Sequence, residues 1–537
     1  MDVAVIGIDG LDPNLLSRWR GDLPTLDSLM KSGSYGRLRS SYPPLTAPAW
    51  PTMFTGKQGG KHGVFGFTRQ IEGSYRQTPV NYSDVKAESV WEALDAEGVA
   101  CGVVNVPLTY PPSDLDHGFV IAGWPAPSND GIVSDPDVRS DLEAAMGERY
   151  RGSPFPLTAE YEQFSNERLF GEIRDGLQHH RRAFVELLSQ QAADLDVFFG
   201  VFMAIDIASH NFAFDEELLK EMYIHQDEAL KMVLEALPDD TNVVVMSDHG
   251  HGVKGEWSFH VNEWLRKEGF LATMQGFDSK SLLERVSLTQ YNLVRLKNAT
   301  RLGNVRERLP QTFEQWLRET LPLGDEKQRT FQSEIVDWED TVAYSPQQNN
   351  LYLNTMNSPQ GTVEESEYNN VLNNVVTRLE ELEHPEGGRP LVSEVNTKGE
   401  LFEGPYTEEG PDVVFIADEM GTNAPMGMGG EVFSSEHWGE HRKHGVLLTS
   451  GPSFATVDGE RETFDDIKDV FPLVLALAEA AVPENVDGEI PDTRLAEQPD
   501  IEYRTSRDKG MQSSDTAFSE AESDAVREQL EGLGYLE

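Results

Sequence analysis

The sequence predicts an α/β protein, a three-layer α/β/α sandwich on a mostly parallel sheet, and three observations carry that expectation. Short apolar runs recur at Val3–Ile8, Ala100–Val106, Val197–Ala204, Val243–Met246, Val413–Ile416 and Val446–Leu448. None alternates with period two, so each reads as a strand buried on both faces beneath helices. Helical stretches separate them, among them Leu169–Gln190 and Asp215–Leu237, and such alternation builds layered α/β sheets. Finally, Asp9, Asp206 and Asp248 stand just past three of the runs. The carboxyl ends of strands are where open α/β sheets build ligand sites.

Taken in order, the first strand ends in Asp9-Gly10, and a proline-rich stretch follows, Thr46-Ala-Pro-Ala-Trp-Pro-Thr-Met-Phe-Thr-Gly56. From about Glu263 to Trp338 the alternation breaks into a helical, Leu-, Arg- and Gln-rich segment. The expectation is a mostly helical insertion or cap (263–338) within a main domain spanning 1–490. Strands resume as a short pair, Ala343–Ser345 and Leu351–Asn354. After Pro491 the chain is polar and acidic. That C-terminal tail, 491–537, ends in a short amphipathic helix beginning near Ser519. No internal repeat is evident.

Composition bounds the function. The 537 residues suit about two to four ordinary domains or one large α/β enzyme with insertions. A single cysteine, Cys101, excludes an intramolecular disulfide framework. The 92 acids against 44 bases give a net charge of −48, dispersed along the chain, with arginine favoured over lysine. A dispersed acidic surface fits a protein adapted to concentrated salt, where screening removes most self-repulsion. Direct binding to a nucleic-acid backbone needs a basic footprint and is not expected. No window approaches about 18 uninterrupted apolar residues, so no transmembrane segment is expected. Met1-Asp2 precedes the first strand without a positive run, and the expected location is the cytoplasm.

The chemistry-bearing residues form an ordered set: Asp9, Thr46, Asp206-Ile-Ala-Ser-His210, Ser247-Asp248-His249-Gly250 and His441. Asp206 and His210 are spaced i, i+4, so on a helix both fall on one face and can share a cation. Asp248 and His249 are adjacent. On a loop at a strand end they can diverge toward two cations or grip one. Each pair alone is weak, and the specificity lies in their combination and order.

This constellation resembles the alkaline phosphatase superfamily, and within it the type I phosphodiesterase/nucleotide pyrophosphatase family. The resemblance rests on Thr46, Pro48, Thr55-Gly56 and His62-Gly63, then on His441 ahead of Gly451-Pro452, Asp469-Val-Phe-Pro472 and Asp487-Gly488. It implies a sandwich of the alkaline phosphatase type and a two-metal phosphodiesterase or phosphatase. It also implies that Thr46 is the nucleophile and a ligand to one cation, with Asp9, Asp248 and His249 completing that site. Asp206, His210 and His441 would hold the second cation. The cations implied are Zn²⁺, with Mn²⁺ as the alternative the same ligands accept. Ser41 and Thr52 are competing hydroxyls that read as cap and turn residues, and His437 and His444 are rivals to His441. His62 reads as a turn residue, and Asp12, His251 and His260 as supporting or structural residues.

One position departs from the family. Where nucleotide pyrophosphatases carry an asparagine that helps hold a phosphoryl oxygen, this chain has Phe67. The backbone N–H of Ala47, Lys57 or Asn105 could assume that duty. The partner implied is a phosphoester of small-molecule, sugar or lipid-linked type. Two other readings compete: a phosphomutase of the same superfamily, and a non-catalytic metal-stabilised binding protein. A sulfatase is disfavoured, because Thr46-Ala-Pro-Ala-Trp50 lacks the arginine of that branch's motif. Between Leu282 and Pro310, Arg285, Arg295, Lys297, Arg301, Arg306 and Arg308 interleave with leucines and valines. That basic amphipathic segment reads either as a helix paired with acids of the main domain or as a cap attracting an anionic substrate.

The charge balance yields a first prediction. Transfer from concentrated salt to dilute buffer should unfold or inactivate the protein, because it exposes the self-repulsion of −48 charges. Circular dichroism across a salt series checks this, and full stability in dilute buffer would overturn the salt-adapted reading.

Overall fold

The computed structural model describes residues 1–153, 155, 164–253, 257–274, 335–417, 421–423, 431–435, 439–455, 462–491, 494–497, 499–509 and 518–532. Eight strands form the main sheet: β1 (Val3–Ile8), β2 (Ser34–Arg39), β3 (Cys101–Val104), β4 (Gly118–Ile121), β5 (Val197–Phe202), β6 (Asn242–Met246), β7 (His444–Ser450) and β8 (Glu462–Asp466). Their spatial order is β8-β2-β7-β6-β1-β5-β3-β4. All neighbours are parallel except at β7, which runs against both β2 and β6.

The apolar runs explain this order. Every residue of β1 and of β5 is buried, as a central strand covered on both faces requires. Their register runs from Val3↔Val197 to Ile8↔Phe202, so both strands finish level, just before the acids. Helices cover the sheet, as the alternation predicted. The helix α2 (Asn166–Gln191) starts at Ser165, whose hydroxyl accepts from the Arg168 N–H, and it buries Leu169, Ile173, Leu177, Phe184 and Leu188. That is a 3.6-period stripe. The helix α4 (Glu216–Leu234) is capped by Asp215, which accepts from the Leu218 N–H.

One apolar run belongs elsewhere. Val413–Ile416 is buried, but not in the main sheet. It is the third strand of a smaller antiparallel sheet ordered Ala343–Gln347, Asn350–Leu353, Val413–Ile416, Glu394–Thr397. The helix Tyr368–Glu380 joins Phe259, Trp264, Leu351, Val413 and Phe415 around a second core. A four-residue apolar run carries no mark of which sheet it will join. Part of the expected insertion is the described helix Val261–Glu268. Residues 275–334, including the basic segment between Leu282 and Pro310, lie outside the described residues.

The described residues after Pro491 pack against the rest of the chain. Arg494 is fully buried, donates to Ser34 Oγ at 2.7 Å and pairs with Asp465. Arg504 pairs with Glu88 at 3.0 Å, and the helix Glu520–Gly532 buries Val526 and Leu530. No described helix is long and apolar enough to cross a membrane.

Removing one side of a buried ion pair strands the other charge, at a cost of about 3–5 kcal/mol. Arg494→Ala should therefore lower the thermal midpoint by several degrees in the parent's own salt. An unchanged midpoint would mean that the tail does not hold the sheet edge.

Candidate active site

The helices and loops at the carboxyl edge of the sheet bring the acids and histidines together. β1 delivers Asp9, whose N–H donates to the Phe202 carbonyl at 2.9 Å and whose Oδ2 accepts from Trp50 Nε1 at 3.0 Å. Gly10 follows with φ of 73°, and a Cβ there would meet Asp206 Cα at 2.9 Å. Only glycine lets the two acid-bearing loops approach this closely. β6 delivers Ser247, Asp248 and His249. Ser247 Oγ accepts from the Leu11 N–H at 2.9 Å and Asp248 Oδ1 from the Gly10 N–H at 3.3 Å, tying this loop to the first.

After β5 the chain turns helical at once, so Asp206 and His210 lie one turn apart on α3 (Ala204–Phe212), as their spacing predicted. His441 comes from the short strand Gly439–Arg442, just ahead of β7. Because β7 runs antiparallel, its beginning lies at the edge where the parallel strands end.

Two groups of donors result. Around His249 Nε2 lie Thr46 Oγ1 at 3.1 Å, Asp248 Oδ2 at 3.1 Å and Asp9 Oδ1 at 3.7 Å. His249 Nδ1 lies 3.1 Å from the Gly250 carbonyl, so it carries the proton and leaves Nε2 as the lone-pair donor. In the second group Asp206 Oδ1 lies 3.4 Å from His441 Nε2 and 3.6 Å from His210 Nε2, and these two nitrogens are 3.1 Å apart. Ligand atoms of Asp206, His210, His251 and His441 all lie within 4.8 Å of one another, as do those of Asp9, Asp206 and His249. Asp206 thus belongs to both groups.

The electrostatics suit divalent cations. Burial, with Asp248 and Asp206 beside it, pushes the Asp9 carboxyl well above the usual carboxylate range. Burial and Asp206 push Asp248 up as well. Burial raises Asp206 too, but His210 and His441 outweigh it and hold this carboxyl well below its ordinary value. Burial lowers His210 to about 4 and takes His249 and His251 well below the usual imidazole range. Among the described residues, Asp9 Oδ1 and Asp248 Oδ2 are buried without a hydrogen bond. Acceptors with no donor beside neutral imidazoles are a donor set that a cation would satisfy.

The remaining candidates divide. Ser41 Oγ donates to the Pro43 carbonyl and Thr52 Oγ1 to the Pro48 carbonyl, which are turn and helix-interior roles. His62 accepts from the Val64 N–H at Nδ1 and meets Thr52 Oγ1 through Nε2, and burial lowers it to about 3. It is structural, as its turn position suggested. Asp12 caps the helix Pro13–Trp19 and lies 3.4 Å from Arg442, and His260 meets Ser434 in another sheet. His444 lies in β7, and His437 lies outside the described residues.

Neither side chain expected to bind substrate is brought to the cluster by its bonds. Lys57 is buried with its ammonium 2.6 Å from Asp508 and 3.2 Å from Ser506. Asn105 donates to the Val201 carbonyl at 2.7 Å and lies 3.3 Å from His180. His251 was missed as a member of the cluster. The signal available was its place two residues after His249, the spacing that repeats a face along an extended chain.

The chain matches the type I phosphodiesterase/nucleotide pyrophosphatase family over residues 3–421, and it belongs to that family. The family places it among hydrolases of phosphoesters. Phosphonoacetate hydrolase from Sinorhizobium meliloti 1021, in complex with phosphonoacetate, is similar in structure with a TM-score of 0.54 at 15% identity, over 89% of this chain and 95% of that one. The same enzyme with phosphonoformate gives 0.52 at 14% identity over 89% and 95%. Murine ectonucleotide pyrophosphatase/phosphodiesterase 5 gives 0.48 at 14% over 90% and 96%. At these identities the phosphonoacetate hydrolase structures establish the alkaline-phosphatase-like fold alone. No curated sequence matches the chain.

The raised carboxyls set the sign of a pH effect. Asp9 and Asp248 hold protons more tightly in the cation-free fold than free carboxyls do, whereas the lowered histidines are already neutral near pH 7. Cation uptake should therefore release protons from the acids, and affinity should rise with pH. Calorimetry of chelator-treated protein in buffers of different ionisation enthalpy measures this, and Asp9→Asn should release fewer. Uptake independent of pH would contradict the assignment of these acids as ligands.

Proposed function

We propose that this protein is a two-metal phosphodiesterase or phosphatase acting through Thr46 and a covalent phosphothreonine. The observation that carries the reading is the approach of Thr46 Oγ1 to within 3.1 Å of His249 Nε2, where Asp9 and Asp248 also converge. Asp9, Thr46, Asp248 and His249 would hold one cation, and Asp206, His210 and His441 the other. The Asp/His donors suit Zn²⁺, with Mn²⁺ as the alternative. When bound, the cations would favour the ionised threonine hydroxyl and offset the charge of the phosphoryl oxygens.

The chain's own residues supply position. Thr46 opens α1 (Thr46–Thr55), a ten-residue helix that is buried throughout. Its Oγ therefore lies at the positive end of a helix, where developing negative charge is favoured. The His249 Nδ1–H, directed at the Gly250 carbonyl, fixes the ring so that Nε2 faces the hydroxyl. Thr46 Oγ would attack phosphorus as the ester alkoxide leaves. Water would then attack the phosphothreonine, releasing phosphate or a phosphomonoester and restoring the hydroxyl. Phe67 packs on Trp124 with ring centroids 5.7 Å apart, so it offers no amide where the family has one. With Lys57 and Asn105 engaged elsewhere, the reading favours the Ala47 N–H, in the first helical turn where N–H groups lack intrahelical partners. The substrate class is a small phosphoester, including sugar and lipid-linked phosphates.

Thr46→Ala should reduce turnover of an aryl phosphodiester by at least about 1,000-fold, or ~4 kcal/mol in the barrier, while leaving the melting curve intact. Trapping labelled phosphate on the parent but not on the variant would identify the intermediate. Turnover within about tenfold of the parent would remove Thr46 from the role.

A further inference from the structure

His251 is fully buried, and among the described residues neither of its ring nitrogens has a hydrogen-bond partner. A polar ring placed this way is costly unless something not yet named satisfies it. Its position is tightly specified. The strand Gly250–Val253 pairs antiparallel with Gly439–Arg442, and the register sets His251 directly opposite His441. Opposed residues on such a ribbon project to the same face. The two glycines flanking His251 have no room for side chains. A Cβ at Gly250 would meet the His444 carbonyl oxygen at 2.4 Å, and one at Gly252 the Arg442 guanidinium carbon at 2.5 Å. His251 is thus the one side chain that Gly250–Gly252 contributes, and it goes to the cluster. Its ring lies edge-on to His210, with centroids 4.5 Å apart, and to His441, at 5.3 Å. A nitrogen of the ring lies within 4.8 Å of the ligand atoms of Asp206, His210 and His441.

We propose that His251 is a fourth protein ligand to the cation held by Asp206, His210 and His441. The proposal rests on the two-cation reading above and goes beyond its ligand set. One carboxylate and three imidazoles form a closed four-coordinate shell, the arrangement of sites that retain their metal. The cation beside His251 is then held more tightly than Asp206, His210 and His441 alone would hold it.

The test uses the full-length protein, chelated and reloaded with Co²⁺, whose visible absorption is intense in four-coordinate sites and weak in six-coordinate ones. The parent should bind two ions and show the intense band. His251→Ala should still bind two at saturation, one of them at least about 10-fold more weakly, because even supporting residues around a metal typically contribute 10–100-fold. The band should weaken in that variant, and added imidazole should restore both affinity and band. If the variant does not fold, the unsubstituted protein loaded with cadmium answers directly, through a metal–nitrogen coupling on the His251 ring. Parent-like affinity and spectrum in His251→Ala, or no coupling to His251 where His210 and His441 show it, would overturn the proposal. So would slower turnover with unchanged metal binding, which would make the residue a proton carrier. His441→Ala is the control, and two ions held tightly in that variant would refute the two-cation reading itself.

Discussion

Three carboxylates, Asp9, Asp206 and Asp248, are buried at one edge of the sheet with no exposure to water, and the rest of the site is arranged around that conflict. Like charges 4 Å apart repel by roughly 4 kcal/mol at the effective dielectric of a protein. Backbone and side-chain donors relieve part of this. Trp50 donates to Asp9, the Gly10 N–H to Asp248, and two histidines stand against Asp206. The relief is incomplete, since Asp9 and Asp248 remain well above the ordinary carboxylate range. A fold selected for stability alone would not keep such a cluster. Divalent cations would resolve it, because each would replace a repulsion among acids by attraction to several at once.

The sheet topology brings the donors together. Three parallel strands, β1, β5 and β6, end level and deliver the acids, while α3 adds a histidine one turn beyond Asp206. The reversal at β7 then becomes functional. An antiparallel strand between β2 and β6 brings the start of a segment to an edge where its neighbours bring their ends, and His441 arrives there. The same approach pairs Gly439–Arg442 with Gly250–Val253 and so seats His251 opposite His441. The two histidines reach the cluster as one unit.

What was legible in the sequence was local. The strand before Asp9 and the i, i+4 pair of Asp206 and His210 each depend on a few neighbouring residues. The structure brings the expected donors together because each is fixed at the end of its own element. What was not legible depended on distant partners. His251 acquires its place from a ribbon whose other strand lies far along the chain. Val413–Ile416 looks like any central strand until its pairing with Asn350–Leu353 is known. Lys57 was one of three groups that could contact a phosphoryl oxygen, and its partner, Asp508, belongs to a tail whose docking no local pattern encodes. Phe67 was legible as a departure, and its ring packs against Trp124.

Two acidic populations in this chain obey different rules. The surface acids that make up most of the −48 charge are solvated, and at 1 M salt their field decays within about 3 Å. Asp9, Asp206 and Asp248 are beyond the reach of mobile ions, so bulk salt does not relieve their repulsion. An anionic phosphoester approaching in dilute solution would meet long-range repulsion from the surface and only then the cations that would bind it. In concentrated salt the first barrier disappears while the second interaction, made at contact inside a dry site, persists. The acidic surface and the cation-dependent centre are therefore compatible when salt is high, and the contact chemistry of a few buried residues decides what binds.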